Sequence, residues 1–181
     1  MRYRGFFIND EWPAFGNWCM ETFGGVNAKA YEEIFILLLR LKGNYMWPAM
    51  WDSIFSEEGP GLASAELADM YGVVMGTSHH EPLCRAGAEW QRIYQQYGTD
   101  NTWSFVSNRE AITEFWKDGI LRNKPFENVI TIGMRGESDS MLLPEDAGLA
   151  DNVQVIKDAI VAQHALLREY MDKDLKDIPR M

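Results

Sequence analysis

Acidic, basic and aromatic side chains gather at the ends of short apolar runs in this sequence. Phe6 to Ile8 stops at Asn9, Asp10 and Glu11. The apolar run that opens at Asn44 stops at Trp47, just before Pro48. Val73 to Ser78 leads into His79, His80 and Glu81, and Asn128 to Met134 leads into Arg135, Glu137 and Asp139. A buried strand does not keep carboxylates in its interior, so each strand is expected to end where the polar residues begin. Carboxyl groups in such a cluster suit glycosidic hydrolysis, one protonating a leaving oxygen while another activates water. Arg135 can grip a substrate carboxylate in a bidentate fork, which points to an acidic sugar. His79 or His80 can donate to sugar hydroxyls, and Trp47 or Trp51 can lie against a ring.

Each of these residues also has a plainer reading. Asn9, Asp10 and Glu11 alone are a strand end followed by a solvated turn. Arg135 can be a structural ion-pair partner of Glu137 or Asp139. His79 and His80 beside acids resemble metal-ligand material, and a metal-dependent hydrolase is the rival enzyme reading. Adjacent side chains on an extended segment point opposite ways, which argues against both histidines ligating one ion. His164 falls within a helical stretch and reads as a surface or core residue. Cys84 is a weak nucleophile candidate with no strand-to-helix elbow around it. A non-catalytic module that binds acidic sugar through Trp and Arg135 is the third reading.

The elements that must position these groups alternate. Strands are expected at residues 6–8, 44–47, 73–78 and 128–134. Residues 14–25 read as a loop rich in glycine, asparagine and aromatics. Asn27 reads as the N-cap of a helix over 28–41, with Tyr31, Ile34, Phe35, Leu38 and Leu41 inward. A short helix over 63–71 points Leu67, Met70 and Tyr71 inward. Residues 84–97 read as irregular helix. Ser107 and Glu110 form a capping box that opens a helix to about Leu121, with Ile112, Phe115, Trp116 and Ile120 in its core stripe. Asp151 caps a long helix to about Lys173, with Val153, Ile156, Ile160, Leu167 and Met171 on one side. Continuous apolar strands alternating with amphipathic helices mean a parallel α/β sheet, whose C-terminal edge is where such folds bind ligands. No glycine-rich phosphate fingerprint follows any strand, which disfavours a nucleotide-binding fold.

Bulk properties narrow the function further. The 181 residues suffice for one domain, and the 46% hydrophobic content marks a globular chain. Seventeen basic against 27 acidic residues give a net charge of −10, which argues against nucleic acid as a partner. A single buried arginine still suffices to bind one anionic sugar. Seven tryptophans are an excess that suits sugar binding or an aromatic core. Cys19 and Cys84 have no metal spacing and read as two free thiols. No apolar run reaches membrane-span length, so no membrane partner is expected, and the N-terminus lacks a signal pattern. The chain begins in a strand-like segment and ends where another strand can start, so a piece of a longer protein is expected.

Four motifs together resemble glycoside hydrolase family 115, the xylan α-glucuronidases. They are Arg4 to Glu11 (RGFFINDE), Leu39 to Trp51 (LRLKGNYMWPAMW), Gly76 to Pro82 (GTSHHEP) and Gly133 to Asp139 (GMRGESD). The resemblance implies an inverting hydrolase, without metal or other cofactor, that removes glucuronic acid or 4-O-methyl-glucuronic acid branches from glucuronoxylan or from aldouronic acid oligosaccharides. It implies a (β/α)8 TIM-type barrel, of which residues 1–181 would be the N-terminal half, about four βα units. The parent protein would be a secreted or periplasmic homodimer. By the resemblance, Asp10 is an active-site carboxylate and Arg135 grips the uronic carboxylate. Asp139 is then the best candidate for the general base, with Glu137 beside it. Asn9, Glu11, Trp47, His79, His80 and Glu81 line the pocket. The family more often carries Asp at the position of Glu137, which puts a short-reach role there in doubt. The general acid is expected on a strand after Met181, so this stretch alone would bind without turnover. Half a barrel would also leave two open strand edges and self-associate.

Overall fold

The computed structural model describes all residues except Met1, Asp52, 58–60, His80 and 137–139. Its centre is a parallel sheet in the order β1 (Gly5–Ile8), β2 (Tyr45–Pro48) and β3 (Val74–Met75). Gly5 pairs with Tyr45, Ile8 with Pro48 and Tyr45 with Val74. Two parallel bridges continue the series, Met75 with Asn128 and Ile130 with Arg180. The mixed α/β class and parallel pairing agree with the sequence reading. Among the described residues, however, three strands form an open sheet, and the expected fourth is reduced to single bridges.

The shortening of the later strands has a local cause. Beyond Gly76, whose N–H donates to the Met46 carbonyl at 2.9 Å, other groups take the ladder's place. The Thr131 hydroxyl donates to the Thr77 carbonyl at 2.8 Å, and the Leu83 N–H donates to the Thr131 carbonyl at 3.0 Å. The segment through Ser78 therefore stays buried without strand geometry. Pro48 extends β2 one residue past the expected end. Tyr45 and Ala49 turn their N–H groups toward β1, to Arg4 and Ile8, so by alternation the missing proline N–H falls on the other side.

Helices cover one face of the sheet. Residues 14–25, expected as a loop, form α1 (Ala14–Phe23). Pro13 stands at its entry, and Gly24 ends it with φ +78°, a left-handed conformation suited to glycine. The aromatics that suggested a loop pack instead: Phe15 lies 5.6 Å from Trp18, and Trp18 lies 5.1 Å from Phe23. In α2 (Ala28–Arg40) Asn27 caps as expected, accepting from Lys29 N at 3.0 Å. Tyr31, Phe35 and Leu38 are buried, whereas Leu41 falls after the helix end and is exposed. In α3 (Ala63–Met70), Ala65 and Ala68 face the core and Met70 turns out to solvent.

The second half packs around α5 (Arg109–Asn123) and α6 (Leu149–Tyr170), preceded by the short α4 (Gly87–Ile93). The expected stripe of Ile112, Phe115, Trp116 and Ile120 is wholly buried. Ser107 is not the cap; Asn108 precedes the helix, and its amide ties the loop by donating to the Asp100 carbonyl at 2.9 Å. Asp151 sits in the first turn of α6, accepting from Gly148 N at 3.2 Å. The α6 core face is Ala159, Gln163, Leu166 and Leu167, and Val153 lies exposed. Gln163 is buried because its amide bonds both backbone groups of Gly133, at 2.7 and 2.6 Å. The opposite face of the sheet carries Tyr45, Val74 and Val129, with Tyr3 and Trp47 against them. Among the described residues no helix is long and apolar enough to cross a membrane.

Candidate carbohydrate site at the strand ends

The loop after β1 divides its polar residues between two environments. Side chains alternate along a strand, and Ile8 belongs to the helix-facing core while the neighbouring Phe7 meets Trp47 at 5.9 Å. Asn9 is exposed and Asp10 has no exposed surface at all. The Asp10 carboxylate accepts three hydrogen bonds, from the Tyr31 hydroxyl, Met50 N–H and Ser53 hydroxyl, each at 2.7 Å. The Ser53 hydroxyl also reaches the Asp10 carbonyl at 2.8 Å. Asp10 thus pins the loop after β2 to the end of β1. Its carboxylate does not open onto solvent, contrary to the expectation that it lines the mouth.

That pinning matters because Trp51, next to Met50, walls a cavity of about 180 Å³. Trp90 and Trp103 add further aromatic walls, and Glu81, Arg85 and Gln91 supply polar groups. Glu81 is fully buried, and its carbonyl accepts from the Thr77 hydroxyl at 2.5 Å. Gly136 completes the rim, and the Trp103 indole N–H donates to the Arg135 carbonyl at 3.0 Å. The exposed Arg135 is therefore anchored by its backbone between two cavity-lining residues. The ends of β2, β3 and the 128–134 segment all contribute to this one space.

Beneath the cavity lies an ionic cluster. Glu89 is 1% exposed, and its carboxylate accepts from Ala86 N at 2.7 Å and from Arg85 Nη1 at 2.9 Å. Arg122 donates to both Glu89 oxygens and to the Cys84 carbonyl, the last at 2.9 Å. Arg85 also donates to the Phe115 carbonyl and the Tyr97 hydroxyl, both at 2.7 Å, and lies 4.2 Å over the Phe115 ring. The Tyr97 hydroxyl in turn donates to Asp118 at 2.9 Å, and burial pushes its pKa up to about 12, so the phenol keeps its proton. These contacts hold the Pro82–Cys84 turn, where Leu83 and Cys84 take φ of 55° and 60°. Only the i,i+4 spacing of Arg85 and Glu89 hints at this cluster in the sequence.

The sequence matches the family described as glycosyl hydrolase family 115 over residues 1–181. The chain belongs to glycoside hydrolase family 115. Among solved structures it is similar to a family GH115 4-O-methyl-α-glucuronidase with specificity for decorated arabinogalactans. The two share 32% identity and superpose with a TM-score of 0.86, over 98% of this chain and 24% of the other. The chain thus spans about a quarter of the length of that enzyme. No curated protein sequence matches it.

In this family 115 chain the remaining expected site residues fall in several places. Trp47 lies on the open sheet face, stacked 5.0 Å from Tyr45, and Trp51 rather than Trp47 walls the cavity. His79 is exposed beside the Ser78 hydroxyl at 3.3 Å. Glu11 is half-buried next to Asp10. His80, Glu137 and Asp139 lie outside the described residues. Cys19 and Cys84 are both buried. Burial pushes Cys84 up to about 12, which removes it as a nucleophile at neutral pH. His164 Nε2 is buried without a hydrogen-bond partner among the described residues, and burial, then Arg180 and Arg168, lowers its pKa. It belongs to the helix packing and not to the site. Among the described residues no three His, Cys, Asp or Glu side chains cluster as a metal site would need.

Proposed function

We propose that this chain forms part of the catalytic domain of an α-glucuronidase, built as a segment of a (β/α)8 barrel. The substrate is a glucuronic acid or 4-O-methyl-glucuronic acid branch on a plant polysaccharide. The observation that carries this reading is the aromatic cavity at the C-terminal edge of a parallel sheet, whose wall Trp103 bonds the Arg135 carbonyl, in a chain of family 115. The uronic ring packs against Trp51 or Trp103 while Arg135 takes its carboxylate in a charge-assisted fork. Asp139 acts as general base toward the attacking water, and a second carboxylic acid protonates the leaving oxygen, giving inversion. Asp10 serves this chemistry by position, holding the Met50–Ser53 loop that presents Trp51.

Glucuronoxylan and decorated arabinogalactan carry the same acidic branch on different main chains, and the similar solved enzyme acts on the latter. Recognition centred on the uronate is compatible with either. Titration of the protein with glucuronic acid and with its methyl ester tests the reading. The free acid is expected to bind more tightly, by about 2 kcal/mol or roughly thirtyfold in Kd. Arg135→Gln is expected to erase that preference while leaving ester binding as it was. Equal loss for acid and ester would remove Arg135 from the role of carboxylate anchor.

A further inference from the structure

We infer that Trp12, in the loop after β1, is a docking platform for a neutral pyranose ring of the polysaccharide main chain. It stands two residues after Asp10, whose carboxylate fixes Met50 next to the cavity wall Trp51. The placement deepens the proposed function and rests on it for the identity of the polymer.

The geometry at Gly16 builds the platform. A Cβ added to Gly16 would sit 2.2 Å from Trp12 Cδ2, 2.4 Å from Cε2 and 2.7 Å from Cγ. Cδ2 and Cε2 form the fused bond in the interior of the indole. An approaching atom meets that bond first only by coming from the ring face, because an in-plane approach meets the peripheral atoms first. One face of Trp12 therefore lies on the Gly16 backbone, which is buried and further tied by Gly16 N donating to the Glu11 carbonyl at 2.9 Å. Trp12 is nevertheless 44% exposed, which leaves the other face and the free edges of the indole to carry that surface.

A glycine inside a helix costs roughly 1 kcal/mol relative to alanine. Here it makes the room that lets a large apolar ring lie flat and open. The negative face of an indole attracts the axial C–H groups of a pyranose, and a ring already held in place loses little freedom on binding. The neighbours select the ligand. Exposed Asn9 and half-buried Glu11 offer an amide and a carboxylate to sugar hydroxyls. Glu11 and the net charge of −10 disfavour an anionic ring at this spot, so the occupant is neutral and the uronate goes to Arg135.

Ligand-observed NMR titration of the protein with xylohexaose, with a β-galacto-oligosaccharide and with free glucuronic acid tests this. At least one neutral oligosaccharide is expected to bind, and the two polymers identify the main chain. Trp12→Ala is expected to weaken that binding about tenfold and Trp12→Phe less, with glucuronic acid binding unchanged. Gly16→Val, which drives the indole off its seat, is expected to mimic Trp12→Ala, with circular dichroism confirming that each variant keeps its helix content. Unchanged neutral-sugar affinity in Trp12→Ala, or no neutral-sugar binding by the unaltered protein, overturns the platform. Loss of glucuronic acid binding alone by the unaltered protein overturns the uronate reading and leaves a neutral-sugar platform standing.

Discussion

Replacing Asp10 with alanine is expected to destabilise the fold by about 3–5 kcal/mol, enough to lower the melting temperature by many degrees. The carboxylate is fully buried and receives three hydrogen bonds of 2.7 Å from Tyr31, Met50 and Ser53. Removing it leaves a phenol, a backbone N–H and a hydroxyl buried around a vacant space. Each such group costs about 1–3 kcal/mol when its partner is lost. Asp10→Asn keeps the shape but turns one acceptor into a donor facing other donors, so a smaller loss of about 2 kcal/mol is expected. Urea denaturation of both variants reads these values directly. A carboxylate serving only to touch substrate would leave stability near the unaltered value, and that result would contradict the pinning role.

The second large effect is expected at Glu89. Its carboxylate faces two arginines, of which Arg85 is buried and Arg122 mostly so. In Arg122, burial pulls the pKa down while Glu89 and Glu57 push it up, and the carboxylates prevail. Glu89→Ala strands the buried Arg85 guanidinium and leaves Arg122 only the half-exposed Glu57, at an expected cost of about 3–5 kcal/mol. Replacing Glu89 and Arg122 together with apolar residues of similar size should cost much less than the two single losses added. A double-mutant cycle measured by denaturation gives that coupling. Strict additivity would mean that the two side chains do not act as a pair. Because the cluster holds the Pro82–Cys84 turn, Glu89→Ala is also expected to blunt sugar binding at the adjacent cavity.

Local periodicity carried part of this molecule into view and tertiary context hid the rest. The stripe Ile112, Phe115, Trp116 and Ile120 was readable because one amphipathic face meets one core. The Asn27 cap was readable because its side chain bonds only two and three residues ahead. Helix α1 was missed because its glycine and aromatics look like loop material. Its signature was the Pro13 entry and Gly24 exit, and Gly16 is explained only by Trp12 lying over it.

Period-two alternation from Phe7 and Ile8 would have placed Asn9 on the open face and Asp10 in the core. Reading the three polar residues as one cluster hid that difference. The family motifs pointed to the edge of the sheet where the cavity lined by Trp51, Glu81 and Gly136 lies. They did not separate the residues that meet ligand from those that hold the loops. Trp103 was out of reach in principle, since its link to Arg135 joins residues 32 apart across an irregular loop.

The most direct test of the central claim is a crystal structure of the protein with glucuronic acid bound. The account predicts the pyranose in the cavity walled by Trp51 and Trp103, with its carboxylate on the Arg135 guanidinium. A sugar bound with its carboxylate away from Arg135, or outside that cavity, would contradict it.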